Sequence, residues 1–468
     1  MAFFTFKKNY VIIHSKKGGI SMNDTICAIS TTLGIGAISI IRVSGKEAIK
    51  KVNKITNIDL TKKKTHSISY AYIKDNEEII DEVLISIMKA PKTFTMEDTV
   101  EINCHGGIAT TEKVLELLLN QGIRLAEPGE FTKRAFLNGR IDLTKSEAVN
   151  DLINTKTDKA RKIAINNLKG TTSNKIRDLR EKLVKIITNI EVNIDYPEYQ
   201  DIEEMTIEKI KSEIDNIEQD IESIIKNSEN SKIIKNGINV AIIGRPNVGK
   251  SSILNKLIEE DKAIVTNIPG TTRDIVEASF NLNGITLNLI DTAGIRQTDD
   301  VVEKIGVEKS KEALEKADLV LLILNNNEKL SKEDKELLKI SENKKRIIVI
   351  NKTDLENKLN IKEENIVYTN TVEEKGIEPL LDKINEIYKL EQIETNDFCY
   401  VSTIEQLNKI KETRKNIKDI KEGLTKELPI DMIEIDLREI WQTLGEVIGE
   451  TYTEELLDNL FKNFCVGK

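Results

Sequence analysis

The 468-residue chain is poor in the residues that staple small or metal-bound folds, with 4 cysteines and 3 histidines. Cys27, Cys104, Cys399 and Cys465 are scattered without paired ligand spacing. That pattern speaks against a disulfide framework or zinc module and points to a reducing, cytoplasmic setting. Aromatics are only 4%, whereas Lys, Ile and Asn abound, a bias that an AT-rich genome would also produce. No apolar run approaches the roughly 18–20 residues needed to cross a bilayer, so no membrane partner is expected. The net charge of -9 argues against a general nucleic-acid coat but is compatible with a local basic patch.

What is present is 39% hydrophobic and 31% charged residues, enough for about two to four domains with long solvated helices. Residues 1–21 read as a translated, non-native leader or a disordered extension. Lys17-Gly18-Gly19, encodable by a purine-rich ribosome-binding tract, stands just before Met22, the expected start. The apolar run Val11 to Ile13 is too short for a signal peptide.

Residues 22–139 alternate strand-like and helix-like signals and predict an α+β domain. Strands are expected over Ile35 to Val43 and Ile79 to Met88, and a helix over Thr110 to Gln121 with a stop at Gly122. Residues 140–236 turn to long polar helices. There Ile207, Ile210, Ile214, Ile217, Ile221 and Ile224 step by three and four, the stripe of a helix packed on a neighbour. Residues 237–390 alternate apolar strands and helices, the pattern of a doubly wound, Ras-like α/β domain. Residues 391–468 are again helical. The expected architecture is therefore multidomain: an α+β domain, and an all-α domain split by an inserted α/β domain.

The chemistry is concentrated in the insert. The strand Val240 to Ile243 runs into Gly244-Arg245-Pro246-Asn247-Val248-Gly249-Lys250-Ser251, a complete P-loop. Its amides and helix N-terminus cradle phosphates, Lys250 meets the β/γ-phosphates, and Ser251 ligates Mg²⁺. In Asp291-Thr292-Ala293-Gly294, after the strand Leu287 to Ile290, Asp291 supports Mg²⁺ through water and the Gly294 amide senses the γ-phosphate. Asn351-Lys352-Thr353-Asp354 follows the strand Arg346 to Ile350, and the Asp354 carboxylate accepts from N1–H and the exocyclic amine of guanine, donors that adenine lacks. Between these lies Pro269-Gly270-Thr271-Thr272-Arg273-Asp274, where Thr272 completes the Mg²⁺ shell. The GTP contact set is expected to comprise Asn247 to Ser252 (Val248, Gly249 and Ser252 included), Thr266, Asn267, Ile268, Pro269 to Thr272, Asp291 to Gly294 (with Thr292 and Ala293), Asn351, Lys352 and Asp354. Ile295 stands where Ras-like enzymes carry a water-orienting glutamine, so catalytic help must come from elsewhere.

The P-loop and Pro-Gly-Thr-Thr-Arg-Asp segment resemble the TrmE/Era/EngA GTPases, and the flanks narrow this to the MnmE (TrmE) family of tRNA-modification GTPases. Those flanks are Asp24-Thr25-Ile26, Ile41 to Gly45, Glu101 to Gly107, Pro128 to Phe136, Asn138 to Leu143 and the terminal Cys465-Val466-Gly467-Lys468. The resemblance implies a homodimer whose N-terminal domain takes 5-formyl- or 5,10-methylene-tetrahydrofolate through Arg42, Glu101, Arg140 and Lys468. It implies K⁺ held by Asn247, Thr266, Ile268 and Thr271 in place of the missing glutamine, and Glu303 positioning the attacking water beside Lys250 and Thr272. It also implies a MnmG (GidA)-type FAD/NADH partner and an aminomethyl-type group added at C5 of the tRNA wobble uridine. Cys465 is either a reactive thiol or one that is buried or merely adjoins the folate. Thr369-Asn370-Thr371 departs from the family's Ser-Ala-Lys guanine loop, and Val401 to Leu407 lack a basic pair often found there. Two rival readings are an Era-like ribosome-assembly switch, disfavoured because no Gly-x-x-Gly loop follows residue 390, and a folate-dependent aminomethyltransferase that GTP only assembles.

Overall fold

The computed structural model describes residues 24–195, 207–259, 276–290, 314–392, 398–452, 454–462 and 464–467. The expected leader and start lie outside the described residues. The chain forms two compact units, residues 1–142 with 452–468, and residues 143–451.

The first unit is built on a sheet of β1 (Ile26–Ile29), β2 (Ile38–Ser44), β3 (Ser67–Asp75), β4 (Glu78–Met88), β5 (Thr99–His105) and β6 (Arg124–Leu125), in the order β3-β4-β5-β2-β1-β6. Only β1 and β6 pair in parallel. Side chains alternate across it. Ala71, Ile73, Val83, Ile85 and Ile87 are buried, while Ile68, Tyr70 and Leu84 face outward. The helices are α1 (Ala48–Asn53), α2 (Ile108–Asn120) and α3 (Glu130–Leu137). The expected strand at Ile35 begins instead at Ile38, because Gly36 and Gly106 approach too closely for a side chain. A Cβ on Gly106 would lie 2.3 Å from the Gly36 carbonyl oxygen.

Compositional boundaries placed the C-terminal stretch with the helical segment, whereas contacts group Tyr452–Lys468 with the first unit. The reason is local. Gly129, at φ +68°, leaves no room for a Cβ beside Phe461 and Phe464, and its amide donates to the Cys465 carbonyl at 3.2 Å. Lys133 also pairs with Asp458 at 2.5 Å.

Beneath this contact lies a buried ionic network that joins the start of β1, β6 and α3. Arg134 meets Asp24 at 2.5 Å, Glu130 at 2.9 Å and Glu97 at 3.2 Å, and Arg124 meets Glu130 at 2.6 Å. Burial opposes ionisation of Asp24 and Glu130, but hydrogen bonds from Arg124 and Arg134 outweigh it and hold both below their ordinary values of 3.8 and 4.5.

The second unit begins with α4 (Leu143–Asn154), α5 (Asp158–Lys169), α6 (Thr171–Asp195) and α7 (Ile207–Asn236). There follow β7 (Ile238–Ile243), α8 (Lys250–Glu259), β8 (Val276–Leu282), β9 (Ile285–Ile290), β10 (Leu319–Asn325), α9 (Lys332–Ile340), β11 (Arg346–Asn351), β12 (Ile366–Tyr368) and α10 (Glu378–Tyr388). Two long helices, α11 (Ile404–Thr425) and α12 (Ile430–Val447), come next, and α13 (Glu454–Phe461) belongs to the first unit. The stripe Ile210, Ile214, Ile217, Ile221 and Ile224 on α7 is at most 1% exposed. It shares one hydrophobic cluster with Ile410, Ile417 and Leu437, so helices before and after the α/β segment pack together. Each buried Ile contributes roughly 1.5–3 kcal/mol to that seam.

The second sheet runs β12-β11-β10-β7-β9-β8, parallel except for the β8–β9 hairpin. All residues of β9 and β10 are buried, as expected of strands covered on both faces. One core lies on each face. Among the described residues, no helix is long and apolar enough to cross a membrane.

Arg134→Met leaves a buried carboxylate under-compensated and destabilises the first unit by about 3 kcal/mol or more at pH 7. The lowered carboxyl pKa values make this stabilisation fully present above their ordinary range and lost as pH falls through the lowered values. Urea unfolding of both chains at pH 7 and pH 3 therefore shows a gap that narrows on acidification.

Candidate nucleotide site and amino-terminal cleft

The P-loop is shaped by its backbone before any side chain acts. Gly244 (φ +156°), Asn247 (φ +63°) and Gly249 (φ +99°) turn the chain from β7 into α8. A Cβ on Gly249 would sit 2.2 Å from Asn351 Nδ2, and one on Gly244 would sit 2.6 Å from the Ile323 carbonyl oxygen. These glycines are set by backbone direction and by packing against two neighbouring strands.

Asn351, at the end of β11, is buried and donates from Nδ2 to the Val248 carbonyl at 3.1 Å. Its Oδ1 accepts from the Thr369 hydroxyl at 3.3 Å. Lys352 Nζ donates to the Asn247 carbonyl at 2.8 Å. The guanine-recognition segment and the phosphate loop are thus bonded to one another directly. Asp354 is exposed beyond this joint.

Lys250 Nζ donates to the Gly244 and Arg245 carbonyls, each at 2.7 Å. Burial pushes its ammonium pKa down, a penalty that neighbouring phosphate charge would relieve. Ser251 and Ser252 follow at the start of α8, where free amides and the helix dipole favour anions.

Arg245, which the sequence reading left without a role, reaches Asp334 at 2.9 Å and Glu328 at 2.8 Å. Asp334 is itself held in a capping box with Ser331 at the start of α9. Arg245 thereby braces the P-loop against the neighbouring loop.

The unusual guanine loop is well bonded. Thr369 retains a hydroxyl at the serine position of Ser-Ala-Lys and uses it on Asn351. The Asn370 amide nitrogen donates to the Gly376 carbonyl at 3.0 Å, and its side chain bonds Glu373 and the Val372 amide.

Thr266, Asn267, Ile268, Pro269, Gly270, Thr271, Thr272, Asp291, Thr292, Ala293, Gly294 and Glu303 lie outside the described residues, as does Lys468.

In the first unit, Arg42 on β2 and Glu101 on β5 are cross-strand partners. Their side chains meet at 2.8 Å. Arg42 also donates to the Gly467 carbonyl at 3.0 Å, an oxygen that Ser30 bonds as well at 3.1 Å. The structure therefore brings the residue before Lys468 to Arg42, which in turn holds Glu101. Arg140 is placed by other contacts, with its guanidinium 4.8 Å above the Phe94 ring. It lines a cavity of about 530 Å³ with Met88, Pro91, Lys92, Thr93, Phe94 and Met96. Cys465 is exposed.

The MnmE helical-domain model matches residues 143–465, and the model of the GTP-binding protein TrmE N-terminus matches residues 25–140. The tRNA modification GTPase MnmE of Bacillus cytotoxicus is 50% identical over 455 residues, covering 95% of this chain and 99% of the relative. That of Bacillus subtilis is 47% identical over 458 residues, covering 95% and 100%. Among solved structures, the G domain of the T. maritima FeoB iron transporter is 29% identical, with a TM-score of 0.23, covering 32% of this chain and 98% of that one.

Asn351→Ala removes bonds to both the phosphate loop and the guanine loop, at about 0.5–1.5 kcal/mol each. GDP affinity, read by titration with a fluorescent nucleotide, falls about 5- to 150-fold.

Proposed function

The chain belongs to the MnmE (TrmE) family of tRNA modification GTPases, and from that premise we propose that its GTP cycle drives addition of an aminomethyl-type group at C5 of the tRNA wobble uridine. GTP hydrolysis in the service of tRNA modification is the family's activity. The finer reading is supported most by the first unit, where the C-terminal tail is bonded to Arg42, the partner of Glu101 on the N-terminal sheet.

In this reading a tetrahydrofolate one-carbon carrier, 5-formyl or 5,10-methylene, is held by Arg42, Glu101, Arg140 and Lys468. Glu101 presents a carboxylate to N–H donors of a pterin while Arg42 balances its charge. Arg140, whose guanidinium lies over Phe94, would meet the carrier's carboxylates. The carrier supplies the carbon unit, and a MnmG-type FAD/NADH protein supplies redox chemistry. The folate site lies in a homodimer, for which the exposed apolar side chains Ile68, Tyr70 and Leu84 offer a surface. Tyr70 and Leu84 stand opposite each other on β3 and β4.

At the nucleotide site, the P-loop amides and Lys250 hold the phosphates, Ser251 and Thr272 hold Mg²⁺, and Asp354 selects guanine. Asn247, Thr266, Ile268 and Thr271 would hold K⁺, which would supply positive charge to the phosphate site, and Glu303 would orient water. Asn247 is exposed with its backbone at positive φ, leaving its side chain available to a cation. The helical segments form one domain that the GTPase domain interrupts, a reading supported by their shared core. The protein works in the cytoplasm.

Mass spectrometry of nucleosides from cells lacking the gene tests the whole reading. C5-aminomethyl-type uridines disappear and return with the intact gene, whereas unchanged nucleosides would overturn it. Replacing K⁺ by Na⁺ lowers kcat for GTP about tenfold or more by the loss of charge stabilisation, as a steady-state phosphate-release assay would show.

A further inference from the structure

The β8–β9 hairpin occupies a mechanical position that its sequence makes legible. β8 starts at Val276, shortly after the Thr271-Thr272 switch, and β9 ends at Ile290, immediately before Asp291. Both nucleotide-sensing segments therefore grow from one end of a single hairpin. Its other end is the two-residue turn Asn283-Gly284, with φ of +51° and +81°, the left-handed pair that closes tight hairpins.

That tip is seated on the helical part of the same unit. The aliphatic stem of Lys159, on α5, crosses Gly284 so closely that a Cβ there would meet Lys159 Cδ at 3.0 Å. Lys159 Nζ then donates to the Leu390 carbonyl at 2.8 Å, just past the end of α10. Asn283 Nδ2 donates to Asn385 Oδ1 at 2.8 Å. One lysine thus touches the turn between the switches and the chain's exit from the α/β segment.

The remainder of the hairpin is tied to α7. Asn288 Nδ2 donates to the Asn236 carbonyl at 2.8 Å. Gly237 packs so closely on β9 that a Cβ would come within 2.2 Å of the Thr286 carbonyl oxygen. Ala160 and Ile163 of α5 share a core with Phe280, Leu282 and Ile285 of the hairpin. A hairpin seven residues long on its β8 side spans about 20 Å, and its packed strands move as a stiff element rather than by local yielding.

We propose that Lys159 is a positioning residue for the GTP-driven reaction, joining the Asn283-Gly284 tip to α5 so that nucleotide state in the switches reaches the helical segments. Rocking of the hairpin at its switch end displaces the tip. The Lys159 stem carries that displacement to α5, and its ammonium ties the same movement to Leu390. Lys159 makes no contact with the P-loop or guanine motif among the described residues, so it acts on transmission and not on binding.

Hydrogen–deuterium exchange over residues 158–169 of the full chain tests this, with GDP compared against a slowly hydrolysed GTP analogue. In the natural chain, exchange differs by about threefold or more between the two states. In Lys159→Ala the ratio falls to about one, while KM for GTP stays within about twofold because nucleotide contacts are intact. A merely structural lysine would raise exchange in both states and preserve the ratio. That result, or a natural chain with equal exchange in both states, would overturn the proposal. If the alanine chain does not fold, Lys159→Met keeps the stem and removes the Leu390 bond. In it a ratio over residues 385–392 that falls towards one, with the ratio over 158–169 retained, supports the joint, and an unchanged ratio over 385–392 refutes it. GTP hydrolysis in the same samples separates failure of the joint from failure of the nucleotide site.

Discussion

The bond from Asn351 to the Val248 carbonyl organises the second unit, because it fixes the phosphate loop against the strand that presents the guanine-recognition residues. It requires Gly249, whose missing Cβ admits the amide, and it requires β11 and β7 to flank β10 in one parallel sheet. The apolar runs of these strands provide that sheet, since buried strands hold register through packing on both faces. A motif that appears linear in sequence is thus completed by a contact between residues 103 positions apart.

In the proposed cycle, nucleotide state would reach the helical segments through packed joints with the α/β segment. At one, Tyr400 is sealed by its hydroxyl to Asp151 and by backbone bonds to Thr172, and Lys235 also meets Asp151 at 2.5 Å. The chain enters the α/β segment just after Lys235 and leaves it just before Tyr400, so one buried aspartate touches both crossings. Burial pushes the Tyr400 phenol well up, with Asp151 adding to the effect, so the ring stays neutral and donates. At the other joint, the hairpin tip rests on α5. Both are close-packed, which suits discrete rearrangement better than gradual deformation.

Much of this was legible in the sequence. The isoleucine stripe of α7, the apolar strands and the P-loop each follow from local pattern, because periodicity and glycine placement report directly on burial and backbone sign. The role of Arg245 was not legible, since its partners Glu328 and Asp334 are far along the chain and no spacing connects them. The docking of Phe464 to Gly467 on the first unit was hidden for the same reason, and composition alone placed that stretch with the preceding helices. The Asn283-Gly284 turn went unread in the sequence, and its meaning depends on Lys159, which only the fold brings to it. Glu130 and Arg134 stand one helical turn apart, a spacing that suggests a pair without revealing Asp24 as its third member.

In the proposed function a guanine nucleotide, selected by Asp354 beyond the Asn351 joint, powers tRNA modification. The most direct measurement is wobble-uridine modification in extracts of gene-deleted cells, supplied with the Asp354→Asn chain and either GTP or xanthosine triphosphate. An asparagine amide donates where the carboxylate accepted, which matches the xanthine edge and mismatches guanine. Modification is expected to follow xanthosine triphosphate. Modification that still follows GTP, or that proceeds equally without nucleotide, would contradict it.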